Sequence, residues 1–113
     1  MLFRSHATST PAGDSAEAEN ISAVFGPQTP PVSSLKGLTG HELWMSGASQ
    51  VVYCTLMAQQ GFIAANANFS EPDEASARLN IITATLERPP RRVLCNSVGF
   101  GGTNSCLVLG FGR

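Results

Sequence analysis

Charge is scarce in this chain. Seven Lys and Arg and eight Asp and Glu make up 13% of its 113 residues and leave a formal net charge of −1. That is about half the usual charged share, and it excludes the basic face that a nucleic-acid or anionic-membrane surface needs. The one local basic cluster, Arg88, Arg91 and Arg92 around Pro89-Pro90, reads as a solvated turn. A surface this poor in charge expects much of itself to be covered, by the rest of a domain or by a partner. No stretch approaches the roughly 20 apolar residues of a membrane helix, and MLFRSHATST has no apolar core of a signal peptide. Cysteine is also sparse: Cys54, Cys95 and Cys106 are odd in number, lie in apolar runs and lack the paired spacing of a zinc site. They read as buried, reduced thiols of a cytoplasmic protein, and no metal is expected.

What is present fits one α/β domain. Residues 1–13 read as the end of a strand, cut off shortly before His6, running into a loop. Asp14 is the expected N-cap of a helix whose apolar face is Ala16, Ile21, Ala23, Val24 and Phe25, stopped by Gly26-Pro27. Residues 30–34 read as a short buried strand, and Gly37 and Thr39-Gly40 as a flexible loop leading to His41. A helix is expected from His41 to Gln60, with Leu43, Gly47, Val51, Cys54 and Met57 as its buried stripe and Gly61 as its stop. Residues 62–69 and 79–85 are weaker extended segments around a polar turn at 71–74. Residues 92–98 (RVLCNSV) and 105–111 (SCLVLGF) are strong antiparallel strands, joined by the glycine-rich loop 99–104.

Two histidines carry the chemical interest. His6 stands in HATSTPAGD, a run of small hydroxyl residues after a strand, a typical setting for a site. His41, placed at a helix N-terminus, would feel the helix dipole, which disfavours imidazolium and keeps the ring a neutral hydrogen-bond donor. Two neutral imidazoles aimed at one carbonyl oxygen would stabilise an enolate. Lys36, five residues earlier, is either a solvated loop lysine or a fixed charge that orients the site. The loop Gly99-Phe100-Gly101-Gly102-Thr103-Asn104 is either a wide turn or a set of backbone N–H groups facing an oxyanion, with Phe100 as a gate.

The runs HATSTPAGD, AVFG, VSSLKGLTGH, LMAQQGFIAANANF, LNIITAT and CNSVGFGGTN resemble, in order and spacing, the β-ketoacyl-acyl-carrier-protein synthases, in particular the type I synthases of bacterial fatty-acid synthesis. The resemblance covers essentially the whole chain. It implies an α/β, thiolase-like fold, with residues 1–113 as an incomplete C-terminal half: a mixed sheet with helices packed on it, the N-terminal half and its nucleophilic cysteine absent. It implies decarboxylative Claisen condensation of acyl and malonyl thioesters, with no cofactor beyond the phosphopantetheine arm that carries the substrates. By position, His6 and His41 look like the pair that binds the malonyl carbonyl, and Lys36 like the lysine that holds the first histidine. Thr8 and Thr10 look like the pantetheine-binding threonines, and Phe100, with Gly101 and Gly102, like the oxyanion and gating loop. Acyl carrier protein, an N-terminal synthase half or subunit, and a second copy in a homodimer are the implied partners. A non-catalytic remnant or interaction module that binds acyl carrier protein or a synthase subunit is the alternative.

Several residues depart from the family pattern. Ala7 replaces a glycine, Leu35 a small residue, Gln50 a glutamate and Val98 a phenylalanine. Trp44-Met45 replaces a Gly-Ala pair beside His41, and overpacking of that kind typically costs ~1–3 kcal/mol.

Overall fold

The three residues Leu2–Arg4 form a strand (β1) that is buried along its whole length, because it is the middle strand of a five-stranded sheet. The computed structural model describes residues 1–8, 10–68, 71, 73–74 and 76–112. Ser9, Phe69, Pro72 and Arg113, which fall within segments read above, lie outside them. β2 (Pro31–Ser33) and β4 (Arg92–Val98) flank β1, both parallel to it. β3 (Asn80–Ile81) pairs parallel to β2, and β5 (Asn104–Gly110) runs antiparallel to β4 at the opposite edge. The sheet order is β3-β2-β1-β4-β5, a five-stranded mixed sheet with β1, read above as the end of a strand, at its centre.

Strand alternation sends successive side chains to opposite faces. Leu2, Val93 and Cys95 pack with Cys54 and Met57 of helix α3 (Ser46–Gln60), and Phe3 and Val32 pack with Ile21 of helix α1 (Pro11–Phe25). The Phe3 and Phe25 rings meet edge to face at 6.2 Å between centroids. The helices therefore cover both faces of β1, which is what an almost wholly apolar parallel strand requires.

The structure corrects several local expectations. α1 starts at Pro11, whose fixed φ suits a first helical position. Asp14 is thus inside the first turn, not its cap, and its carboxylate accepts the Thr8 N–H at 3.1 Å instead. Only Ala18 and Ile21 of α1 are fully buried, while Ala16, Ala23 and Val24 face outward. Lys36–Thr39 is one helical turn (α2) rather than a loose loop, ended by Gly40 at φ +73°. A 3-10 turn at Leu43–Met45 then precedes α3, so His41 lies five residues before the helix and not at its N-terminus. The buried stripe of α3 is Ser46, Gln50, Cys54 and Met57, one position out of step with part of the expected one; Leu43 is exposed. Trp44 and Met45 also point to solvent, so the expected overpacking does not arise in this chain.

Residues 62–68 and 79–85 contribute little ladder: besides β3, Ile63 and Leu86 form an isolated antiparallel bridge. β5 spans Asn104–Gly110, one residue earlier than expected, and Cys106 on it is exposed, unlike the buried Cys54 and Cys95. All three thiols are free. Among the described residues no helix is long and apolar enough to cross a membrane.

Candidate active site

The C-terminal ends of β1, β2 and β4 point the same way, because the three strands are parallel, and the loops that leave them converge there. His6 follows β1, Lys36 follows β2 and Val98 closes β4. The structure brings His6, His41 and Lys36 together. The two imidazole rings stand edge to face, 5.6 Å between centroids with an interplanar angle of 85°.

Each ring is held by its Nδ1. On His41 this atom accepts the Leu43 backbone N–H at 2.9 Å and lies 3.1 Å from Ser46 Oγ. Leu43 adopts φ +54°, a conformation that a leucine rarely takes, and it turns that N–H back toward the ring. On His6, Nδ1 accepts the Val98 N–H at 3.3 Å and lies 3.2 Å from Lys36 Nζ. Lys36 also donates to the His6 carbonyl oxygen. A nitrogen that accepts a backbone N–H cannot carry a proton, so in each neutral ring the proton sits on Nε2, available to donate. Burial holds His6 below its ordinary pKa, with the nearby Lys36 ammonium adding to the effect and Glu17 opposing it. Burial likewise lowers Lys36, again against Glu17, with Arg4 adding to the depression.

Glu17, which sequence reasoning missed, is the hub of the loop after β1. Its carboxylate accepts the N–H groups of His6 at 2.8 Å and Ala7 at 2.9 Å and the side-chain amide of Asn96 at 2.8 Å. The available signal was the i, i+3 spacing of Asp14 and Glu17, which puts two carboxylates on one side of a helix start. Asn66 does the same work for the loop after β2. It accepts the Ser34 N–H at 2.8 Å and donates to the carbonyls of Val32 and Ile82 at 3.1 and 2.9 Å, where β2 and β3 part. Gln50 donates to Ser5 and Asn96 carbonyls at 3.2 and 3.3 Å, tying α3 to the ends of β1 and β4.

The hydroxyls of Thr8 and Thr10 lie 3.1 Å apart, and Thr8 lines a cleft of about 560 Å³ together with Ala7, Asp14, Glu17, Lys36 and His41. The glycine loop is a wide turn closed by the Gly99 N–H on the Thr103 carbonyl at 2.7 Å, with Gly101 and Gly102 at φ +86° and +85°. It begins beside His6 through Val98, but Phe100 at its tip is fully exposed and, with Gly101 and Gly102, lies outside that cleft.

Comparison with known proteins bears on family and fold. The family model for the C-terminal domain of β-ketoacyl synthase matches residues 2–70. The chain is 48% identical over 107 residues to 3-oxoacyl-[acyl-carrier-protein] synthase 1 of Escherichia coli, covering 95% of this chain and 26% of that protein. A β-ketoacyl synthase from Burkholderia phymatum superposes with a TM-score of 0.90 at 33% identity, over 99% of this chain and 28% of that one. A type II polyketide ketosynthase solved in complex with its acyl-carrier protein superposes with a TM-score of 0.90 at 28% identity, over 99% and 28% of the two chains. The chain thus spans about a quarter of the length of the curated relative it matches. By motif, sheet topology and likeness to its relatives, the chain belongs to the β-ketoacyl synthase family and carries that family's C-terminal domain, with the thiolase-like fold.

Proposed function

We propose that this chain supplies the decarboxylation and enolate-stabilising half of a 3-oxoacyl-[acyl-carrier-protein] synthase. The observation that carries the reading is the histidine pair: two rings 5.6 Å apart, each with Nδ1 engaged by a backbone N–H. That leaves two Nε2–H donors for the carbonyl oxygen of a malonyl thioester. When the bond to the departing carboxylate breaks, its electron pair moves into the thioester as an enolate, and the two donors hold the oxygen that becomes negative. His6 is kept neutral by burial and by Lys36, so it donates without carrying charge into the ground state. The Lys36 ammonium fixes the ring through Nδ1 and the main chain through the His6 carbonyl. Half-buried Thr8, which lines the cleft, and exposed Thr10 would hydrogen-bond a phosphopantetheine arm in this reading, and Phe100 would gate once a second half covers its loop.

In this reading the acyl group rides on a cysteine of an N-terminal synthase half, since neither buried thiol here borders the cleft that His41 and Lys36 line. Acyl carrier protein is the substrate-bearing partner, a homodimer the working form and the cytoplasm the compartment, in keeping with three free thiols. The test joins this chain behind a matching N-terminal half and measures acyl loading and carbon dioxide release separately. The joined protein should condense, the chain alone should not, and His41→Ala should lower decarboxylation about 10²–10³-fold while sparing loading. Loss of both steps together, or of neither, refutes the role of His41. Carrier-protein binding without any turnover would make the interaction-module reading the correct one.

A further inference from the structure

The segment that carries His41 is held against its own preferences. Leu43 sits at φ +54°, a region that crowds any side chain with a Cβ, and its side chain is 72% exposed. Trp44 and Met45 are exposed as well, so burial of the turn's apolar side chains does little to offset that strain. What ties the segment down is polar and comes from Glu42, between His41 and Leu43. Its Oε2 accepts the Ser49 hydroxyl at 2.6 Å and its Oε1 the Tyr53 hydroxyl at 3.1 Å. Ser49 and Tyr53 are neighbours at i, i+4 on α3, so one carboxylate spans both. The competing conformation is the one the apolar pattern favours, α3 continued back through His41. Glu42 precedes Tyr53 by 11 residues, and in a continued helix that is about 16 Å along the axis, beyond the reach of the two side chains. The Leu43 N–H would then be among the first four of the helix, which have no partner within it, and His41 Nδ1 would lose its donor.

We propose that Glu42 is a positioning residue for His41: its carboxylate, latched to the Ser49 and Tyr53 hydroxyls, selects the turned-back segment over a continued α3. The latch thereby keeps the Leu43 N–H on His41 Nδ1 at 2.9 Å and the His41 ring edge to face with His6. It fixes the tautomer as well as the place of the ring, because Nδ1 stays an acceptor only while that N–H is aimed at it. Its weight in catalysis rests on the enolate reading above, but the latch itself does not and is read on the ring and the backbone without turnover. His6 is fastened separately, by Val98, Lys36 and Glu17, and so serves as the internal control.

The experiment follows the chain by NMR, reading amide exchange at Leu43, the imidazole nitrogen signals of both histidines and the Cα shifts of residues 42–45. Glu42→Ala removes two charge-assisted bonds that water replaces in part, so Leu43 exchange should quicken about tenfold. The two ring nitrogen signals of His41 should converge as its tautomers mix, those of His6 should stay, and the 42–45 Cα shifts should move toward helical values. Ser49→Ala with Tyr53→Phe should match Glu42→Ala, and adding Glu42→Ala to that pair should change nothing further. Glu42→Gln, which keeps an acceptor for a hydroxyl, should stay within about threefold of the parent. Leu43 exchange within about twofold of the parent in Glu42→Ala, or Cα shifts that move away from helical values, overturns the proposal. So does a further gain of about tenfold when Glu42→Ala joins the pair that lacks both hydroxyls. Where Glu42→Ala unfolds the chain, seen as loss of the His6 signals, the Ser49→Ala and Tyr53→Phe pair decides by the same readouts.

Discussion

Glu17 offers the sharpest perturbation of the site, because it touches the loop and not the substrate. Glu17→Ala removes one carboxylate that accepts three hydrogen bonds, from the N–H groups of His6 and Ala7 and from the Asn96 amide. Charge-assisted bonds contribute about 1.5–3 kcal/mol each. These groups are only half-buried, so water replaces part of the loss, and a net cost of about 2–4 kcal/mol is expected. The loss should be local, since the bonds hold a loop end and not the core. At 1.4 kcal/mol per factor of ten, amide-exchange protection at His6 and Ala7 should fall about thirty- to a thousandfold, with β1 and β4 little changed. Glu17→Gln should give a smaller effect, because one oxygen remains while the new amide meets an N–H donor. The His6 titration, followed by NMR, should move further down in Glu17→Ala, since this carboxylate, ahead of that of Asp14, raises it. Protection unchanged within threefold, or a His6 value that rises, would refute the reasoning.

Other outcomes follow from the same geometry. His6 lies below its ordinary value of 6.5, so its neutral form prevails above that value, and its contribution to folding is lost as pH falls through the lower folded value. Decarboxylation by the joined protein should fall on the acid side along that same limb, and an acid limb lying above pH 6.5 would contradict it. Gly37 lies where an added Cβ would meet the Ala67 carbonyl oxygen at 2.6 Å. Gly37→Ala should therefore displace α2 and Lys36 and cost roughly 1–3 kcal/mol; an unchanged melting temperature argues against that. The isolated chain, with Leu107 and Val108 exposed on edge strand β5 and Val52 and Leu56 on α3, should self-associate in light scattering. A monomer at high concentration would count against this.

Local pattern was enough for the elements whose causes are local. The strand at 92–98 and the glycine stops at Gly26 and Gly61 are legible because alternation and positive-φ turns are written in adjacent residues. The two histidines and Lys36 were legible through the motif that surrounds them. The phase of α3 was not: its buried stripe follows Ser46 and Gln50, polar residues whose burial depends on hydrogen bonds and packing from β1 and β4. Nor was the position of His41, because a strained Leu43 and a 3-10 turn hold it ahead of the helix. Arg4 reads in sequence as the polar end of a strand, and only the parallel pairing that buries β1 on both sides makes it a core cation. Glu17 and Asn96 are 79 residues apart, and nothing local in either foretells the bond between them. Hydrophobic period and turn chemistry are properties of neighbours in the chain, so sequence alone determined the elements and the motif. Burial of polar groups and the tautomers of the two histidines depend on partners brought from afar, and only the tertiary structure decided them.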